Sequence, residues 1–347
     1  MTRHTIAAAT SILLTALTGC AKTDSSAPAT SAASEQQTPV GVSTARAPDL
    51  SVKDVASTEG PDSSAPAPAS DAGNEKGPVV TWKNVGISTP ESVLYDDVAD
   101  LYLVSNINGN PTDRDNNGFI SRLTPEGTVE TLKWIEGGKN KVTLNAPKGS
   151  AFFGDRLYVA DIDTVRIFDR KTGAPAGDVK VPGATFLNDI TATSSGVIVS
   201  DSGKKATAKG FENTGTDAIY HIDKNKKLTT VAKTTDLGAP NGVLRKGDKT
   251  WVVTFSGELY SLDDKGKKAD VQKLPKGSLD GIVALPNGDF LISSWDASAI
   301  YRGAPGSEFK TVIENVNSPA DIGYDTKRNR VLVPIFTGNE VRAFEVR

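Results

Sequence analysis

From residue 78 onward the chain alternates short apolar runs with turn residues, and one four-residue phrase heads each set. It reads Pro90-Glu91-Ser92-Val93, Pro147-Lys148-Gly149-Ser150, Leu187-Asn188-Asp189-Ile190, Pro240-Asn241-Gly242-Val243, Leu279-Asp280-Gly281-Ile282 and Pro319-Ala320-Asp321-Ile322. Aligned on the second residue, the copies are 57, 40, 53, 39 and 40 residues apart. A period near forty, lengthened in the first and third intervals, marks a repeat architecture. Each phrase is followed by a second apolar run (101–105, 157–160, 197–200, 251–254, 290–293, 331–334) and a third (119–123, 165–168, 218–222, 258–262, 299–301, 341–344). A fourth run closes most sets, at 129–132, 228–231, 269–274 and 309–313.

Short β-branched and aromatic runs punctuated by Gly, Asn and Asp predict antiparallel strands. Four strands per period of forty predict an all-β fold, a six-bladed β-propeller with four-stranded antiparallel blades. The last repeat ends one strand short. The run 79–85, just before the first phrase, is expected to supply that strand and close the ring without an open sheet edge.

The start of the chain has a different character. Arg3 precedes an apolar run, 6–17, that ends in Leu17-Thr18-Gly19-Cys20. A charged start, a short apolar core and small residues before cleavage describe a secretory signal. The four residues also resemble the bacterial lipobox, which implies cleavage before Cys20 and lipid attachment to it. The alternative is an ordinary signal peptide with an incidental Cys. The residues after Cys20 are rich in Ala, Ser, Thr and Pro, and cannot bury enough surface to offset their ordering entropy. The expected organisation is therefore a signal peptide at 1–19, a lipidated Cys20 with a disordered tether over 20–77, and the propeller over 78–347. The protein is expected to be exported and membrane-anchored through Cys20. Ala21, where an Asp would argue for retention, points to the outer membrane facing the periplasm in a Gram-negative host.

Composition removes several chemistries. The net charge of −3 provides no basic footprint for nucleic acid. A single Cys excludes an internal disulfide. The two histidines are His4, in the signal, and His221, in an outer strand, so a Ser-His-Asp triad has no base. No phosphate-binding glycine loop is present. Asp113-Arg114-Asp115-Asn116-Asn117-Gly118 opens like a Ca²⁺ loop, but Thr124 stands where the bidentate Glu belongs, and a polar turn is the simpler reading.

In a propeller the first strand of every blade lines the central channel. The second residues of the six phrases, Glu91, Lys148, Asn188, Asn241, Asp280 and Ala320, are therefore expected to converge on the axis. The ends of the second strands, taken as Asn106, Asp161, Asp201, Ser256, Trp295 and Phe336, are expected to rim the same mouth. The extra residues at 108–118 and 203–217 follow second strands and are expected to overhang it. Taken singly, each polar residue could be an ordinary turn residue bonded to backbone. Taken together, they bring two carboxylates and two carboxamides into one channel, where the carboxylates need a counter-charge. That charge is either a divalent cation, with all-oxygen ligands favouring Ca²⁺, Mg²⁺ or Mn²⁺ over Zn²⁺, or Lys148 itself.

Over about 78–347 the chain resembles the gluconolactonase/regucalcin (SMP-30-like) family of six-bladed propellers. In that family a Glu in the first phrase, an Asn in Pro-Asn-Gly and an Asp in Asp-Gly hold one divalent metal; Glu91, Asn241 and Asp280 match them. The family's Asn-Asp pair, whose Asn faces metal-bound water or substrate, matches Asn188-Asp189. The resemblance implies one bound cation, Ca²⁺ first with Mn²⁺ or Mg²⁺ as alternatives, and hydrolysis of a small-molecule lactone or ester by a monomer. Asp280 would serve as catalytic base and Asn188 would face the substrate. Lys148, which the family does not supply, and the rim residues Asn106, Asp161, Asp201 and Trp295 are expected as further substrate-binding residues from the geometry of the ring and mouth. Phe186 stands where the family often has an Arg for sugar hydroxyls, and Ser92 and Tyr95 replace residues usual around its Glu. A non-catalytic propeller lipoprotein that captures a ligand or protein at the same mouth is the alternative function.

Overall fold

The computed structural model describes residues 77–207 and 210–346. The expected signal peptide, Cys20 and all but the last residue of the tether lie outside the described residues. Strand β1 (Val80–Lys83) comes first. Blade one contains β2 (Pro90–Asp96), β3 (Leu101–Asn106), β4 (Phe119–Leu123) and β5 (Val129–Glu136). Blade two contains β6 (Pro147–Phe153), β7 (Arg156–Asp161), β8 (Thr164–Asp169) and β9 (Pro175–Lys180). In blade three, β10 (Leu187–Ala192) and β11 (Gly196–Asp201) are followed by a separate hairpin, β12 (Lys204–Thr207) and β13 (Gly210–Asn213), before β14 (Ala218–Asp223) and β15 (Leu228–Lys233) complete the sheet. Blade four is β16 (Pro240–Lys246), β17 (Lys249–Thr254), β18 (Glu258–Leu262) and β19 (Lys268–Lys273). Blade five is β20 (Leu279–Ala284), β21 (Phe290–Ser294), β22 (Ala299–Gly303) and β23 (Lys310–Ile313). Blade six orders β24 (Gly323–Asp325), β25 (Arg330–Ile335) and β26 (Glu340–Glu345), with β1 paired antiparallel to β26. The architecture is a six-bladed all-β propeller.

The core is divided among the seams between neighbouring sheets. Leu103, Ile120 and Ile135 of blade one meet Leu157, Val159 and Phe168 of blade two. Trp251, Val253 and Leu259 of blade four meet Phe290, Ile292 and Tyr301 of blade five. The remaining seams are built the same way. Because both faces of each sheet pack against a neighbour, the middle strands read as nearly continuous apolar runs rather than alternating ones. The outermost strands bury little: β9 is largely exposed and carries Pro175, Gly177 and Asp178, which hid it from the hydrophobic pattern.

The seam between blades six and one also carries polar ties. Tyr102 donates its hydroxyl to Asp325 at 2.6 Å, and Trp82 of β1 stacks edge-on against Tyr102 at 5.6 Å. Arg328 reaches across to Asp100 with both terminal nitrogens, at 2.7 and 2.8 Å. Closure therefore joins residues more than two hundred positions apart through directed contacts as well as apolar burial.

Candidate functional site: the channel mouth

A repeated irregularity builds the site. In each of the first five blades the pairing between the first and second strands slips after the first residue of the phrase: Pro90/Ser92, Pro147/Ser150, Leu187/Ile190, Pro240/Val243 and Leu279/Ile282. A bulge leaves residues out of the ladder and re-aims their side chains. The released residues include Glu91, Lys148, Asn188, Asn241 and Asp280. In blade six Ala320 occupies the equivalent place, with Asp321 bonded through its backbone to Glu91 O at 2.9 Å. Glycine in the third position lets neighbouring strands close in. A Cβ at Gly242 would lie 2.2 Å from Asp280 O, and one at Gly281 2.2 Å from Ile322 N.

All six ring residues are buried. Two carboxylate oxygens among them, Glu91 Oε2 and Asp280 Oδ1, are buried without any hydrogen-bond partner. Native proteins rarely leave such atoms unpaired, and an absent ion is one recognised explanation. Asp280 Oδ2 accepts the Trp295 indole N–H at 2.7 Å, which fixes the carboxylate plane. The two carboxamides turn their nitrogens into the protein: Asn241 Nδ2 donates to Leu279 O and Asn188 Nδ2 to Ser202 Oγ, both at 3.0 Å. Neither Oδ1 accepts a hydrogen bond among the described residues, and the Asn241 side chain also interacts with the Asp280 carboxylate. Among the described residues no three Asp, Glu, His or Cys side chains converge as a metal cluster on their own. The hub set is two carboxylates and one carboxamide, an all-oxygen donor group that suits a hard cation.

Electrostatics point the same way. Burial, then the charges of Asp280 and Asp321, pushes the Glu91 carboxyl well above its usual range. Burial and Asp321 push Asp280 up to about 8, against the Trp295 and Asn241 side chains, which act in the opposite direction. Burial and Asp321 likewise raise Asp189, and burial raises Asp321 to about 7. Lys148 is the cation of this hub. Burial lowers its ammonium to about 8, opposed by Glu91 and Asp161. Its Nζ donates to Pro111 O and Ala146 O, each at 3.0 Å, and lies 4.5 Å from the centre of the Phe186 ring. Lys148 is fully buried under Phe186 and loop 108–118, so it tempers the hub's charge instead of meeting a substrate.

Three expected substrate-binding residues are placed elsewhere. Asn106 accepts from Ser88 N and donates to Ser121 and Val104 O. Asp161 accepts from the backbone N–H of Asn145 and Ala146, from Asn145 Nδ2 and from Arg166 Nε. Asp201 accepts from the backbone N–H of Phe186 and Gly203. All three are fully buried and brace the chain entering or leaving their own blades. The reason is strand parity, since a slip of one residue exchanges the two faces. The hub side carries the next residues instead: Ile107, Ile162 and Ser202. Ile107 and Ile162 form an apolar cluster with Phe336, and Ser202 holds Asn188. In blades five and six this next residue is Trp295 and Phe336, whose rings meet at 5.1 Å. The rim is thus largely apolar, a property the sequence held but that required the correct strand ends.

Both long loops are anchored at the mouth. Arg114 forks onto Asp163, and Pro111 caps Lys148. The second excess forms the β12–β13 hairpin, whose Phe211 packs on Phe186 at 5.5 Å while remaining half exposed. The Asp113–Gly118 stretch is a polar turn: Asp115 accepts from Asn117 N and Nδ2. His221 is a partly buried strand residue with Ser195 Oγ 3.1 Å from its Nε2.

Asp163 offers a pH test of the first anchor. Burial alone would raise its pKa, but hydrogen bonds from Arg114, Lys180 and Thr164 hold it at about 2. A depressed folded-state pKa stabilises above the unfolded value and is lost as pH falls through the folded one. Urea midpoints of wild type and Asp163→Asn are expected to differ at neutral pH and to converge between pH 3.8 and about 2. A gap that persists unchanged to the acid end contradicts the assignment.

No protein-family model matches the chain, and no curated protein matches its sequence. Solved structures do match. A luciferin-regenerating enzyme is 14% identical with a TM-score of 0.57, covering 77% of this chain and 94% of that one. A gluconolactonase from Xanthomonas campestris is 15% identical with a TM-score of 0.57, covering 75% and 87%. Virginiamycin B lyase from Staphylococcus aureus is 13% identical with a TM-score of 0.52, covering 77% and 98%. At these identities the likeness is one of fold.

Proposed function

We propose that the channel mouth holds one divalent cation, Ca²⁺ before Mn²⁺ or Mg²⁺, on Glu91, Asn241 and Asp280, and that the protein hydrolyses a lactone or related ester with an apolar substituent. The observation that carries this reading is the pair of buried, partnerless oxygens on Glu91 and Asp280. The gluconolactonase among the structural neighbours adds a precedent for lactone chemistry on this fold. A cation bound there would polarise the carbonyl and acidify water.

The chain's own residues would do the rest. Asp280, aligned by Trp295, takes a proton from water as its oxygen bonds to the carbonyl carbon, and returns it to the alcohol oxygen when the ring C–O bond breaks. Asn188, held by Ser202, presents an amide oxygen to orient that water. Trp295 and Phe336, both partly exposed, receive the apolar substituent, and the buried Ile107 and Ile162 back Phe336 and exclude solvent. Phe186 and the sealed Lys148 leave sugar hydroxyls without a charged partner, which sets the substrate class apart from sugar-acid lactones. The assembly is a monomer tethered to the membrane through lipid on Cys20.

Glu91→Gln is expected to reduce the bound cation from about one per chain to near zero, measured by metal analysis after gel filtration. Full retention of metal in that variant removes Glu91 from the ligand set. A second reading, capture of a ligand or protein without turnover, is favoured by the internal engagement of Asp161 and Asp201. It predicts binding at the mouth that is indifferent to Asp280 substitution in every lactonase assay.

A further inference from the structure

The third residues of the six phrases form a second ring, one layer along the channel: Ser92, Gly149, Asp189, Gly242, Gly281 and Asp321. Blades three and six stand opposite in a ring of six, so Asp189 and Asp321 face one another across the axis with glycine or serine between them. Consistent with that placement, Asp321 is the first charge acting on Asp189. The glycines leave room for the carboxylates: a Cβ at Gly149 would lie 2.2 Å from Asp189 Oδ1, and one at Gly281 2.7 Å from Asp321 Oδ1. Both carboxylates line a chamber of about 410 Å³ that neither Glu91 nor Asp280 lines. Its walls are Val93, Ile190, Val243 and Ile282, with Tyr95 and Tyr324 also lining it.

Donor accounting shows what is missing. Asp189 accepts Ile190 N at 2.6 Å and Val243 N at 2.7 Å, one on each oxygen. Asp321 Oδ2 accepts Ser92 Oγ at 2.6 Å; Oδ1 accepts no hydrogen bond from the described residues and keeps some access to solvent, the residue being 8% exposed. No Lys, Arg or His is among the described residues lining the chamber. Buried carboxylates without a counter-charge are relieved either by taking up a proton or by a cation from outside, and only the second leaves them charged. A metal is poorly served, because three of the four carboxylate oxygens already accept hydrogen bonds and no carboxamide joins them. A primary ammonium supplies three N–H donors to such acceptors, and its hydrocarbon gains from the apolar walls.

We infer that this end of the channel binds a small primary ammonium compound with an apolar tail, held between Asp189 and Asp321. The site lies one residue along the channel from the proposed metal ligands and is electrostatically linked to them through Asp321, but the inference does not require a metal to be bound.

The test is a methyl and indole NMR titration of the purified full-length chain with n-butylammonium chloride, and with 1-butanol as the uncharged counterpart. Butylammonium is expected to shift the Ile190 and Ile282 methyls saturably, to leave the Trp295 indole proton in place, and to bind about tenfold or more tighter than butanol. Asp321→Asn is expected to erase that preference. Equal response to the two probes, no response of either methyl, or displacement of butylammonium by Ca²⁺ at those methyls overturns the inference. The comparison of probes on wild type stands even if the variant folds poorly.

Discussion

Asp280→Asn is expected to lower cation-dependent ring opening of an apolar lactone by about 10²–10⁴-fold while leaving the propeller folded. The substitution keeps the shape of the side chain, and the Trp295 indole can still donate to its oxygen. What it removes is the basic oxygen and one negative charge at the hub. Two measurements separate these effects. Turnover at saturating metal reports the loss of the base, and metal affinity reports the loss of a ligand charge. Glu91→Gln provides the contrast, because Glu91 is assigned only as a ligand: excess metal should restore part of its rate and should not restore that of Asp280→Asn. If wild type turns over no lactone in a panel run with Ca²⁺, Mn²⁺ and Mg²⁺, the hydrolase reading fails and the binding propeller stands. If Asp280→Asn retains wild-type turnover, the proton is carried by another group.

The second large effect is on stability and comes from a residue that resembled a site residue. Asp161→Ala is expected to destabilise the domain by about 3–5 kcal/mol, because it strands a buried guanidinium and two buried backbone donors. Asp161 is fully buried, and its partner Arg166 has a side chain only 10% exposed. The remaining tie, from Arg166 to Asp178, is longer at 3.1 Å and has one exposed partner. Urea denaturation measures the loss. Lactone turnover per folded molecule should be unchanged, since Asp161 faces the loop entering β6 and not the mouth. A variant of normal stability with impaired substrate binding restores the residue to the mouth and refutes the parity argument.

The contrast between Asp280 and Asp161 shows how far local sequence carries. Both are aspartates near a strand end in a propeller blade, and both looked equally suited to a polar mouth. One leaves an oxygen without a donor in the hub; the other has every oxygen engaged inside its own blade. The phrase around Asp280 placed it in the ring and Asp161 on the rim, but which of their oxygens stays free depends on partners contributed by other strands. Asp189 and Asp321 were overlooked for a related reason. Their neighbours in the phrase attracted the chemistry, and only the structure shows that the third residues leave the ladder too, Asp189 in the blade-three bulge and Asp321 ahead of β24. The restriction of that position to Gly, Ser or Asp was the available signal.

By itself the sequence determined the blade number, the strand that begins each blade and the ring of second-position residues. It could do so because a forty-residue hydrophobic period is a local property, repeated often enough to survive insertions at 108–118 and 203–217. Tertiary structure decided the rest: that β9 forms despite its polar surface, that the second insertion folds as a hairpin, that the rim is aromatic and aliphatic, and which buried oxygens remain unpaired. Each of those depends on backbone register and on contacts between strands far apart in the chain, where a one-residue shift turns a side chain from one face of a sheet to the other.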